Sequence, residues 1–133
     1  MKVWSVRNQR TEHEFGNSGI SVYDLVIGRE GTPLANLIVF IGQNKTCRVF
    51  NSKTSVEIRT INLDSYCMSI AVDETQTMIV VGTDEGVTFI ETTNFTKVKE
   101  VFLNNPVNSL AFNKRNDCML AVTKKGEVHA FNF

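Results

Sequence analysis

The sequence has 133 residues and a mass of 14.9 kDa, the size of a single domain. Hydrophobic residues make up 42% and charged residues 21%, a globular rather than a disordered composition. The 14 Lys and Arg residues balance the 14 Asp and Glu, which excludes a basic nucleic-acid-binding arm and a polybasic membrane patch.

The predicted elements, in chain order, are all strands. The N-terminus reads as one strand over 2–6 and a second over 11–15. Strands follow over 21–27, 37–42, 47–51 and 56–63, then over 67–72, 77–82, 87–91 and 96–103. The last three fall over 107–112, 118–123 and 127–132. The runs Met78-Ile79-Val80-Val81-Gly82 and Cys118 to Thr123 are short, apolar and bounded by turn residues, as in strands buried on both faces. Val56 to Ile61 and Lys97 to Leu103 alternate polar with apolar residues, as in half-exposed outer strands. Turn residues separate them: Asn51-Ser52-Lys53, Asp84-Glu85-Gly86, Asn104-Asn105-Pro106 and Lys124-Lys125-Gly126. No stretch sustains a 3.6-residue period with caps, so almost no helix is expected.

The strands recur with a period of about 40 residues. Shifting the sequence by 40 places Ser69 on Ser109, Ala71 on Ala111, Gly42 on Gly82, Thr83 on Thr123 and Gly86 on Gly126. Each third strand ends on an apolar residue followed by a polar one: Trp4-Ser5, Phe50-Asn51, Ile90-Glu91 and Phe131-Asn132. Such spacing is that of a four-stranded blade repeat. Labelling the strands of a unit a to d, the chain divides into a half blade over 1–15, blades over 20–63 and 66–103, and an incomplete blade over 106–133.

These residues resemble the WD-repeat β-propeller family over almost the whole chain. Asn105 to Phe112 looks like the inner strand of a WD repeat, and Val80 to Gly86 like the second strand and its tight turn. Asp84 stands where the family often places an Asp in that turn, whereas Asn44 and Lys124 hold the corresponding positions of the other units. The Trp-Asp ending is never intact and the Gly-His dipeptide is absent. The family's Asp–His network is therefore not carried over. The expected fold is all-β: a partial β-propeller of four-stranded antiparallel blades, about three and a quarter of them, with the ring completed by a second chain. Closed propellers have 4–8 blades, and an open arc leaves strand edges unpaired.

Chemistry is sparse. His13 and His129 lie far apart in sequence and read as structural, and no Cys, His or carboxylate cluster has metal-ligand spacing. There is no nucleophile elbow, and Gly28-Arg29-Glu30-Gly31 lacks the spacing of a phosphate loop. No cofactor is expected. Cys47, Cys67 and Cys118 are odd in number and form no Cys-x-x-Cys pair, which points to a reducing compartment, cytoplasmic or nuclear. The longest apolar runs, Leu37 to Ile41 and Met78 to Val81, are far short of a membrane-spanning helix, and residues 1–7 contain no secretory h-region. Neither sequon, Asn44-Lys45-Thr46 nor Asn94-Phe95-Thr96, is read as glycosylated.

What remains is surface. The resemblance implies that the d–a and b–c loops share one face, which collects Asn44, Lys45, Asp64, Ser65, Tyr66, Asp84, Glu85, Asn104, Asn105, Lys124 and Lys125. Tyr66 is the candidate anchor, since exposed aromatics often carry interfaces. On the opposite face the a–b loop over 28–36 is longer than its counterparts. The expected function is a non-catalytic protein–protein interaction scaffold acting within a larger assembly. Its partners are proteins, with a homo-oligomer or a second chain completing the ring, and neither nucleic acid nor membrane. The alternative is a ligand-binding or enzymatic propeller whose polar central channel is lined by Ser69 and Ser109.

Overall fold

A computed structural model describes residues 2–14, 21–115 and 117–133, without the side chains of 3–5 and 12–14. Thirteen strands follow in order: β1 (Lys2–Ser5), β2 (Arg10–Glu14), β3 (Val22–Ile27), β4 (Leu37–Gly42), β5 (Thr46–Asn51), β6 (Glu57–Asn62), β7 (Cys67–Val72), β8 (Met78–Thr83), β9 (Gly86–Glu91), β10 (Thr96–Phe102), β11 (Val107–Phe112), β12 (Cys118–Thr123) and β13 (Val128–Asn132). Every predicted strand is present, and no helix occurs among the described residues. Strands pair antiparallel with sequence neighbours within two four-stranded sheets (β3–β6 and β7–β10), a three-stranded sheet (β11–β13) and the pair β1–β2.

The apolar second strands dictate how the sheets stack. In β4 and β8 successive side chains point to opposite faces, yet nearly all are buried. Both faces of these strands must therefore be covered. One core lies between the first two larger sheets and includes Val39, Ile41, Cys47 and Val49 from the first and Ile70, Ile79, Val81 and Ile90 from the second. A second core joins Val80, Val87 and Phe89 to Val107, Met119 and Ala121 of the third sheet. Ile38, Phe40 and Phe50 cluster on the far face of the first sheet. The outer strands β6 and β10 are exposed over most of their length and turn only their ends, Ile61 and Leu63 or Val101 and Leu103, toward the cores.

The inner strands β3, β7 and β11 contact one another in that order. Two different polar links join them. Asp24 Oδ2 accepts the Ile70 amide at 3.3 Å, and Ser69 Oγ donates to the Val107 carbonyl at 2.9 Å. Gly82 allows the second approach: a Cβ there would stand 2.3 Å from Ser69 Oγ and 2.7 Å from the Val107 oxygen.

The strand pairing corrects two repeat matches: Gly86 corresponds to Glu127 rather than to Gly126, since the ladders align Val87 with Val128. Gly42 does not correspond to Gly82; the ladders align Ile41 with Gly82 and Gly42 with Thr83. The first b–c turn is one residue longer than the second, so the b strands stand 41 residues apart while the c strands stand 40 apart. The long a–b loop over 28–36 is also accounted for. It straps the first sheet to the second: the Arg29 amide donates to Gln76 Oε1 at 2.7 Å, Thr32 Oγ1 shares that oxygen at 2.7 Å, and Gln76 Nε2 donates to the Ile27 carbonyl at 3.1 Å. Gln76 is buried, and every one of these bonds crosses the junction.

Two outcomes test this packing. Gly82→Ala should cost about 2 kcal/mol in urea unfolding, because the backbone of β11 blocks its Cβ. On the first sheet Arg48 forms a two-pronged pair with Glu57, at 2.7 and 2.9 Å, and Thr60 donates to the same carboxylate. The Arg48 bonds first, and that of Thr60 second, hold the Glu57 carboxyl below its ordinary value of 4.5. Its contribution is therefore present above pH 4.5 and lost as pH falls through the lower folded value. Thermal melts should show Glu57→Gln losing less stability than the parent over that acid window.

Candidate interaction face

The loops at one end of the sheets are knitted by backbone bonds that the turn residues set up. Lys45, Asp64 and Asn104 adopt left-handed conformations, φ 57°, 60° and 52°, which reverse the chain tightly. The Leu63 amide donates to the Lys45 carbonyl at 2.9 Å, and the Leu103 and Asn104 amides converge on the Glu85 carbonyl at 2.8 and 3.1 Å. The Asp84 and Lys124 amides donate to the carbonyls of Tyr66 and Pro106, at 2.9 and 2.8 Å. The d–a and b–c loops thus lie side by side in each sheet, as expected.

Around Tyr66 the expected residues come together. Asp84 Oδ1 accepts the Tyr66 amide at 3.1 Å, and Ser65 Oγ donates to Glu85 Oε2 at 3.2 Å. Lys45, from the first sheet, places its ammonium 4.5 Å from the centre of the Tyr66 ring, a cation–π contact across the sheet junction. Lys97 pairs with Asp64 at 3.8 Å and with Glu100 at 3.6 Å. These exposed pairs contribute little stability and mainly fix loop geometry. Tyr66 remains 53% exposed despite its cationic neighbour.

The other expected residues are placed differently. Asn44, Lys124 and Lys125 are exposed on the corresponding turns of the first and third sheets. Asn104 is exposed and bonded through its amide. Asn105 is a correction: it is buried, and its Nδ2 donates to Thr123 Oγ1 at 3.1 Å. The residue before Pro106 is drawn under the loop by the turn of the third sheet, so it holds β11 to β12 rather than facing a partner. The channel reading is corrected too. Ser69 is buried and spends its hydroxyl on the next sheet, while Ser109 lies exposed on the outer face of the third.

Sequence reasoning missed Tyr23 and Met68. Each inner strand carries a bulge at the same place, between Val22 and Asp24, Cys67 and Ser69, and Val107 and Ser109. The extra residues are Tyr23, Met68 and Asn108. A bulge re-aims its side chain out of the ladder. Tyr23 and Met68 consequently join Tyr66, Cys67 and Asp84 in one groove, with both tyrosines and the methionine exposed. The signal was available as a recurring triplet: an apolar residue, the bulge, then a small polar residue that links to the next inner strand.

Among the described residues no His, Cys, Asp and Glu group could hold a metal ion. His129 bonds Glu127 at 3.2 Å; the side chain of His13 is outside the described residues. Burial pushes the Cys67 thiol up to about 12, with Asp84 adding to it. Burial, and then the neighbouring Cys67, raises Cys47 as well. Both thiols stay protonated and inert at neutral pH.

No protein-family model and no curated protein matches this sequence. Its structure, however, is similar to the crystal structure of the RRP9 WD40 repeats, with a TM-score of 0.77 at 14% identity. The superposition covers 88% of this chain and 36% of that one. The fold is that of a WD40 propeller segment. The sheets are then blades, and β3, β7 and β11 are their inner strands. The chain spans about a third of the length of RRP9 in that structure.

The two buried thiols give a test of the blade junction. A neutral-pH maleimide should label Cys118 in the folded protein within minutes and reach Cys47 and Cys67 only on unfolding. Equal labelling of all three would mean that the first two blades part readily.

Proposed function

We propose that this chain is a non-catalytic protein-interaction module, a propeller segment that recognises a protein partner through the loop face around Tyr66. One observation carries the reading: Tyr23, Tyr66 and Met68 are exposed together beside Asp84, on loops held by backbone bonds. Large, stiff aromatic side chains on a rigid support bind with little loss of conformational freedom. Methionine adapts its shape to the partner's side chains. Asp84 and Glu85 stand at the rim beside Lys45, so the face offers charges of both signs to a partner. The solvent-exposed polar loop residues Asn44, Asn104, Lys124 and Lys125 form the outer part of that face. Three free thiols, two of them buried, suit a reducing compartment, the cytoplasm or the nucleus.

A photo-crosslinking residue placed at position 66 should trap discrete protein adducts in cells. The same residue at position 93, on an exposed turn between β9 and β10, should trap few. With the crosslinker at 66, a Tyr23→Ser, Met68→Ser double variant should lose capture of those same species by about 30-fold or more while melting within a few degrees of the parent. Identical adducts from both positions, or capture unaffected by the double variant, would refute the reading.

A further inference from the structure

The groove beside Tyr66 has a counterpart one blade along, and the two differ in chemistry. The ladders and loop bonds align Tyr23, Tyr66, Cys67, Met68 and Asp84 with Met68, Pro106, Val107, Asn108 and Lys124. The first set combines two aromatic rings with a negative charge. The second has no ring and carries a positive charge. The first groove lies between two four-stranded blades, β3–β6 and β7–β10, so both its walls are complete within the chain.

The charge in this groove is only partly spent. Asp84 Oδ1 accepts the Tyr66 amide, and among the described residues no donor reaches Oδ2. The acidic neighbours are already engaged: Glu85 accepts from Ser65, and Asp64 pairs with Lys97. Lys45 shows that the aromatic wall receives a cation. Its ammonium stands 4.5 Å from the centre of the Tyr66 ring and has no carboxylate partner among the described residues. Lys45 is not part of the groove lining, and Cys67 stays protonated, so Asp84 holds the one formal charge in that lining. Residues 15–20, which lead into β3, contain no Lys or Arg to neutralise it.

We infer that this groove takes an arginine side chain of the protein it recognises, the guanidinium lying against the Tyr23 and Tyr66 rings and bonded to the open oxygen of Asp84. This rests on the recognition face proposed above. A guanidinium is planar, stacks on aromatic faces and presents its N–H donors in a fixed fork, which suits this wall better than an ammonium. Met68 adapts to the aliphatic stem. A carboxylate in the groove would be repelled by Asp84, and an apolar side chain would cover the Asp84 oxygen without giving it a donor. The counterpart groove turns the same arginine away, because Lys124 repels it and no ring receives it. The pair of grooves thereby fixes where along the face a partner segment sits.

The two tyrosines of the chain both line the groove, so their ring resonances report on it. A short blocked peptide with a single arginine among glycines should move both sets of ring signals at millimolar concentration. The citrulline analogue has nearly the same shape without the charge and should bind about 10-fold more weakly, the lysine analogue about 3-fold more weakly. Asp84→Asn keeps the oxygen that accepts the Tyr66 amide and should weaken the arginine peptide by about 10-fold. Ring signals unmoved by the arginine peptide would overturn the assignment. So would equal binding of the citrulline or lysine analogue, tighter binding of a glutamate analogue, or an Asp84→Asn variant that keeps its circular dichroism and binds arginine as the parent does. Adducts at position 66 without arginine binding refute only the arginine site; arginine binding without adducts in cells refutes only the recognition of a protein.

Discussion

The burial of the second strands β4 and β8 on both faces is the constraint on which this structure depends. A strand such as Met78-Ile79-Val80-Val81-Gly82 presents apolar groups above and below its sheet. Removing them from water stabilises the fold by about 25 cal/mol per Å² of apolar surface, but only if two neighbours are present. The sheet therefore cannot stand alone, and stacking follows. The order of contacts from β3 through β7 to β11 is the outcome. The same requirement explains why the third blade, with one neighbour, is the blade with exposed valine and leucine on its far side.

Within that stack, small polar devices set how near the inner strands come. Asp24 accepts an amide of the next strand and Ser69 donates to a carbonyl of the next strand, although both occupy the same ladder position. The carboxylate can only accept, so its partner must be an N–H; the hydroxyl can donate, so a carbonyl serves. Gly82 and Ile41 face these two links at matching positions: the Ser69 link needs the missing side chain, whereas the Asp24 link leaves room for isoleucine. A bulge beside each link turns Tyr23 and Met68 toward the loop face. The devices that join the blades are thus adjacent to the groove proposed for recognition. Deforming a junction should disturb recognition too, because the groove takes Tyr23 from one blade and Tyr66 from the next.

Much of this was legible in the residues themselves. All thirteen strands were, because short apolar runs between Asn, Asp, Gly and Lys turns leave few other conformations. The Asx turns at Asp73 and Asn113 show the local cause: each carboxylate or amide oxygen binds the two amides that open the next strand. The grouping of loops around Tyr66 followed from the resemblance to WD repeats. Asn105 did not, because adjacent asparagines look alike in sequence and only the path of the chain into Pro106 sends one outward and the other inward. Ser69 was equally opaque: a serine on an inner strand faces either a channel or a neighbouring blade, and the difference is one step of side-chain alternation.

Composition, periodicity and turn chemistry by themselves determined the all-β class, the strand count, the four-strand unit and the need for neighbours, because these depend on local backbone preference and on which residues avoid water. Register, bulges and junction bonds were decided only by the tertiary structure. A b–c turn one residue longer moves a whole strand of the repeat, and no pattern of period two or forty records which ladder absorbs it. The bulges that bring Tyr23 and Met68 beside Tyr66 were likewise decided there, because only the pairing of two strands shows which residue one of them leaves out.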